Sequence, residues 1–123
     1  MNITISNKSS KSLYEQIYDQ IKTYILDGTL KSGEALPTIR GLAKDLRISV
    51  ITTSRAYSDL EKDGYIYSVV GKGSFVAERN HEFVLEENYK ELENYIVKAV
   101  EIANRTKIDE EKLIEIVKMI YRG

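Results

Sequence analysis

The stretch ISVITTSRAYSDLEKDGYI, residues 48–66, gathers side chains suited to one kind of chemistry. Ser49, Thr52 and Ser54 carry short hydroxyls that can bond a phosphate or a base edge. Val50 and Ile51 carry methyl groups, which suit contact with the methyl of thymine. Arg55 carries the planar fork that pairs with guanine O6 and N7. If the stretch is helical, its first turn also aims backbone N–H groups outward at anions. The competing reading is that the hydroxyls cap and solvate an ordinary helix, and the residue types leave both open.

Other chemistries fit the chain poorly. Without Cys there is no disulfide framework and no thiol chemistry. His81 is the single His, with no second ligand at metal spacing, so it reads as a solvated linker residue and no metal site is expected. GKG at 71–73 lacks the G-x-x-x-x-G-K-[ST] pattern of a phosphate loop and precedes a strand. The carboxylates of 86–115 are scattered as on solvated helix faces, and the nine Tyr suit core or interface positions, Tyr57 the core. Arg40 and Arg55 could equally serve as ion-pair partners on the surface. No cofactor and no enzymatic activity is expected.

The elements that would position these residues are legible. Thr53, Ala56, Tyr57 and Leu60 recur at i, i+3, i+4 and i+7, which predicts a helix over 50–63 despite the β-branched run Val50–Thr53. Ser49 is its N-cap. Ile39, Leu42, Ala43 and Leu46 predict a preceding helix from near Thr38, and the short link RIS makes the pair a helix-turn-helix. SLYE, a capping box at Ser12, opens a helix over about 13–27 that stops at Gly28. GTLKSGEALPT reads as a polar, turn-rich link. YIYSVV and SFVAE read as strands around GKG, a hairpin with Lys72 at its tip. Three helices and this hairpin make residues 1–77 a winged helix.

The chain has 123 residues, 42% hydrophobic and 30% charged, enough for a small domain with an appendage. Residues 1–77 hold ten Lys and Arg against eight Asp and Glu, whereas 78–123 hold eight against eleven. The halves differ in sign, as in a nucleic-acid module joined to a partner-binding one. The start, MNITISNKSSKS, has no apolar core, so no signal peptide is expected, nor any membrane span. A cytoplasmic location follows. No internal repeat or low-complexity segment stands out.

In the tail, Leu85, Tyr89, Leu92, Ile96, Ala99 and Ala103 form a heptad-like seam. A second tail helix starts at Asp109, with Ile108 and Leu113 as a hydrophobic staple. Leu113, Ile116, Val117 and Ile120 form its apolar face.

The ordered set LYEQI, G-x-x-LP-x-x-R, LE-x-DG and GKGSFV, over residues 13–77, resembles the winged-helix domain of the GntR family of bacterial transcription regulators. The short tail and RAY within the helix expected over 50–63 resemble its YtrA subfamily, whose tail is a pair of dimerising helices. The resemblance implies a mostly α protein with a small β-hairpin that binds double-stranded DNA. It places DNA contacts on Arg40, Ser49, Thr52 and Ser54, and a phosphate contact on Thr38. The wing glycines fall on Gly71 and Gly73, with Lys72 between them reaching backbone or minor groove. Four departures stand out. Val50 replaces a frequent Arg, Ser54 a second one, Ser68-Val69-Val70 a basic wing strand, and Arg47 the usual turn Gly. They point to a more A·T-tolerant readout by Val50 and Ile51.

Residues 78–123 are then expected to dimerise through Leu85, Tyr89, Leu92, Ile96, Ile116 and Ile120. The seam is too apolar for water, and two helices have too small a core to stand alone. A two-fold dimer would bind a pseudo-palindromic operator as a regulator, a repressor by expectation. The alternative is a winged helix that binds another protein. The tail is too short for an obvious enclosed effector pocket, and no effector is assigned.

Overall fold

Three short capped helices open the chain. Ser12 Oγ accepts from the Glu15 N–H at the start of α1 (Leu13–Leu26). The expected full capping box is half formed. Glu15 does not reach the Ser12 backbone, because its carboxylate takes the Ser12 hydroxyl at 2.8 Å, a charge-assisted bond. α1 ends at Asp27, and Gly28 makes the turn at φ 83°. α2 (Ile39–Leu46) is capped by Thr38 and α3 (Val50–Lys62) by Ser49.

α3 crosses the β-branched run because its core face outweighs local propensity. Thr53, Ala56, Tyr57 and Leu60 are all buried. Opposite them lie Ile17, Ile21 and Ile25 of α1 and Leu42 and Ala43 of α2, since both helices pack on α3. Each large apolar side chain so buried contributes about 1.5–3 kcal/mol.

The wing follows. β1 (Ile66–Val69) and β2 (Gly73–Val76) pair antiparallel, with Ile66 opposite Val76 and Val69 opposite Gly73. The strands are shorter than the expected 65–70 and 74–78. Val70 leaves the ladder for the turn, which the Lys72 N–H closes on the Val69 carbonyl at 2.9 Å.

The link before α2 is more than a turn. Ala35 bridges Phe75, the Leu36 N–H donates to the Ser74 carbonyl at 2.9 Å, and the Val76 N–H donates to that of Glu34 at 2.9 Å. This third strip satisfies the free edge of β2, and Leu30 and Leu36 anchor it in the core.

The first six residues are strapped along α1. Gln16, Gln20 and Tyr24, four apart on the helix, meet Ser6, Thr4 and Asn2, two apart on the arm. Four helical residues and two extended ones both advance about 6 Å, so the registers match. The Gln16 amide accepts from the Ser6 N–H at 2.8 Å and donates to its carbonyl at 2.9 Å. Gln20 does the same with Thr4, and Ile3 is buried beneath.

The computed structural model describes residues 1–78 and 85–123 in full and the backbone alone of 81–84. It divides into two compact units, Met1–Asn80 and His81–Gly123. The second holds α4 (His81–Arg105) and α5 (Glu110–Arg122). The expected linker role of the His81 side chain lies outside the described residues. α5 is capped by Asp109, whose carboxylate accepts from the Lys112 N–H at 2.8 Å. Ile108 and Leu113, the expected staple, are both half-buried. The seam residues Leu85, Tyr89, Leu92 and Ile96 are exposed within this unit, and Ile120 is 75% exposed, while Ile116 is half-buried. Among the described residues no helix is long and apolar enough to cross a membrane.

Candidate nucleic-acid interface

The first turn of α3 separates cleanly into two faces. Val50, Ser54 and Arg55 are exposed, Ile51 is 81% exposed and Thr52 half-buried, while Thr53 between them is fully buried. Three of the four hydroxyls at this junction help to build the turn. Ser49 Oγ accepts from the Thr52 N–H at 3.0 Å and lies 2.8 Å from Thr52 Oγ1, and the Thr53 hydroxyl donates to the Ser49 carbonyl at 3.3 Å. Capping and outward reach are therefore compatible at Ser49 and Thr52, because a hydroxyl has two acceptor sites as well as its proton. Ser54 makes no such bond among the described residues.

Among the described residues Arg55 makes no ion pair. Its guanidinium lies over the Tyr14 ring, 3.8 Å from the centroid. Stacking holds the plane of the fork and leaves its rim of N–H donors open. Sequence reasoning passed over Tyr14, whose signal was its place in the first turn of α1. Arg40 stands exposed at the start of α2, with no ion pair among the described residues.

Beside Arg40, Thr38 Oγ1 accepts from the Gly41 N–H at 3.0 Å. A Cβ on Gly41 would lie 2.8 Å from that oxygen, so glycine keeps the cap intact. The approach to α2 is locked to α3 by Tyr57, whose hydroxyl donates to the Pro37 carbonyl at 2.7 Å. Burial holds the Tyr57 phenol well above its ordinary pKa, so it stays a donor. The approach to α2, which carries Thr38 and Arg40, is thus braced against α3.

The wing is braced to the same helix. The Glu61 carboxylate accepts from the Ser68 N–H at 3.0 Å and from its hydroxyl at 3.4 Å. Tyr67 and Phe75 stack across the hairpin with centroids 5.6 Å apart. Gly71 and Gly73 take φ of 78° and 105°, and Lys72 between them is exposed. Glu61 was missed from sequence, although it is the Glu of LE-x-DG. The next member of that motif, Asp63, accepts from the Tyr18 hydroxyl. Burial first, then this bond, raises the Tyr18 pKa.

Between α1 and α3 lies an open groove of about 410 Å³ lined by Glu15, Asp19, Asp59 and Asp63, with Tyr14, Tyr18 and Lys62. Its negative charge does not suit phosphate. The cations Arg40, Arg55 and Lys72 stand outside its lining.

Residues 13–76 match the family described as bacterial regulatory proteins, gntR family. The chain belongs to the GntR family. The HTH-type transcriptional repressor YtrA of Bacillus subtilis (strain 168) is 32% identical over 118 residues, spanning 96% of this chain and 91% of that protein. A GntR family transcriptional regulator from Listeria monocytogenes superposes with a TM-score of 0.74 at 31% identity, covering 91% of this chain and 97% of that one. AraR(DBD) in complex with operator ORR3 gives a TM-score of 0.51 at 31% identity, over 61% of this chain and 93% of that one. The chain is thus a YtrA-like GntR transcriptional regulator, of a family of regulators and not of enzymes. Among the described residues, its five helices and small antiparallel sheet match the winged helix-turn-helix structures of that family.

Proposed function

We propose that this regulator is a repressor that binds a pseudo-palindromic operator as a homodimer. The observation that carries the reading is the split of α3. Thr53, Ala56, Tyr57 and Leu60 fill the core, while Val50, Ile51, Ser54 and Arg55 stay outside, and Arg40 at the start of α2 is exposed as well. Residues 1–77 are the DNA-binding part, with contacts from Thr38, Arg40, Ser49, Val50, Ile51, Thr52, Ser54, Arg55, Gly71, Lys72 and Gly73. Methyl groups at Val50 and Ile51 favour A·T-tolerant readout in the major groove. Residues 78–123 form the dimer through Leu85, Tyr89, Leu92, Ile96, Ile116 and Ile120. A dimer presents two recognition helices about one helical turn apart, hence the two-fold operator. A regulator that meets bacterial DNA works in the cytoplasm. No cofactor enters the reading.

Selection of bound duplexes from random DNA with the purified chain tests it. Two inverted half-sites are the expected result. Recovery of no consensus, or binding that does not weaken with salt, would sink it, since phosphate contacts must weaken steeply with salt. Arg40→Ala should then cost about 1–3 kcal/mol of operator binding if the contact is to a base.

A further inference from the structure

The wing carries a feature that the contacts above leave unused. Val70, at the turn of the hairpin, is 102% exposed, as much as a valine can be. A lone surface valine needs no explanation. This one is not alone, because Tyr67 and Val69 on the same hairpin and Ile51 on α3 are exposed too. Nor is the tip loose. The Tyr67–Phe75 stack stiffens the hairpin, and Glu61 ties Ser68 to α3. The next residue, Gly71, has no side chain and sits at φ 78°, with open space around the position of a Cβ. Lys72 follows. A branched apolar knob, a bare backbone and a cation succeed one another at a braced tip.

We infer that Val70 seats in the minor groove of the operator and restricts the base pairs there to A·T. This rests on the DNA-binding reading above and deepens it. The minor groove is about 6 Å wide, room for a narrow tip and not for a helix. Its A·T floor shows acceptors alone, whereas G·C adds the guanine N2 amino group as a raised donor. An isopropyl group packs against the first surface. Against the second it strips water from a donor and offers no acceptor in return. The Gly71 backbone can approach the groove wall closely, and Lys72 meets the phosphates that flank it. Val70 therefore adds selectivity without adding charge, unlike Lys72.

The test uses the full chain and the tightest duplex recovered by selection. Each A·T pair at and beyond the outer edges of the half-sites is changed to G·C, and separately to inosine·C. Inosine lacks the N2 amino group but keeps the major-groove face of guanine. At the pair under the wing, G·C should weaken binding about tenfold and inosine·C should restore it. Val70→Ala, on an exposed turn where folding is not at stake, should weaken binding to the original duplex about tenfold, remove the penalty for G·C and leave the salt slope unchanged. If inosine·C behaves as G·C at every flanking pair, or Val70→Ala binds as the parent chain does, the inference is wrong while the DNA-binding reading stands. A parent chain that binds no duplex overturns both.

Discussion

Two corners of this chain are built alike and live differently. Ala43 to Ser49 reads Ala-Lys-Asp-Leu-Arg-Ile-Ser, and Ala103 to Asp109 reads Ala-Asn-Arg-Thr-Lys-Ile-Asp. In each, a cation takes the left-handed region, Arg47 at φ 56° and Lys107 at φ 59°. In each, the following Ile N–H donates to the carbonyl of the Ala five residues back, at 3.0 Å and 2.8 Å. In each, the cap oxygen then accepts from the N–H three residues on. The first corner is surrounded, since α1 packs on α3 and the wing is tied to it. Within its own unit the second is made by α4 and α5, and many large apolar side chains there, Tyr89, Leu92, Ile96, Val117 and Ile120 among them, remain exposed. Seven residues fix the bend of a helix pair, but they do not make the pair stable. Stability comes from what covers the faces.

The comparison breaks first if the second corner needs no cover. Sedimentation equilibrium should find a dimer for the parent chain and a monomer for Ile96→Asp. Operator affinity should fall by about 10²–10⁴-fold in the variant, the loss of effective concentration when two heads are unlinked. A parent chain that is monomeric at micromolar concentration would show that α4 and α5 stand with their faces in water.

At the first corner the cover is internal, so damage there should not depend on concentration. Leu60→Ala removes a fully buried side chain and should cost about 2–5 kcal/mol, read by urea unfolding of the Ile96→Asp background. The same midpoint shift is expected at low and high protein concentration. A shift that grows on dilution would mean that the first corner also leans on a partner.

The caps give a smaller effect and a sharper comparison. Ser49→Ala and Asp109→Ala should each cost about 1 kcal/mol. Ser49→Ala should be the larger, because Thr52 Oγ1 loses its bond as well as the Thr52 N–H. Equal losses would mean that the Ser49–Thr52 contact adds nothing.

Legibility followed period and punctuation. α3 could be read through four β-branched residues because Thr53, Ala56, Tyr57 and Leu60 kept the helical spacing. The caps at Ser12, Ser49 and Asp109 were legible because each is a residue type with a strong local use ahead of a periodic run, whereas Thr38 marked only where α2 begins and its cap is seen in the structure. Pairings between distant segments were not. The strap of Gln16 and Gln20 on the arm joins residues 10 and 16 apart, and nothing in either segment names the other. The bridge of Ala35 to Phe75 hides in a segment whose Gly and Pro announce turns. At the candidate interface Val50, Ile51, Thr52, Ser54 and Arg55 were found from helix phase and Thr38, Arg40 and the wing residues from the family resemblance, whereas the braces, Tyr14, Glu61 and Tyr57 on Pro37, are tertiary facts.

The smallest effect tests the shared geometry itself. A non-glycine residue in the left-handed region costs roughly 1–2 kcal/mol, and glycine avoids this while giving back about 0.5–1 kcal/mol of chain entropy. Arg47→Gly and Lys107→Gly should therefore each stabilise, by roughly 0.5 to 1 kcal/mol. The Arg47 gain should appear in the Ile96→Asp monomer, where the first unit is intact. The Lys107 gain should appear in the dimer alone, as a rise in the midpoint of the concentration-dependent transition. If Arg47→Gly destabilises instead, the arginine side chain is holding the corner through contacts of its own. The likeness of the two corners would then be one of backbone and not of cause.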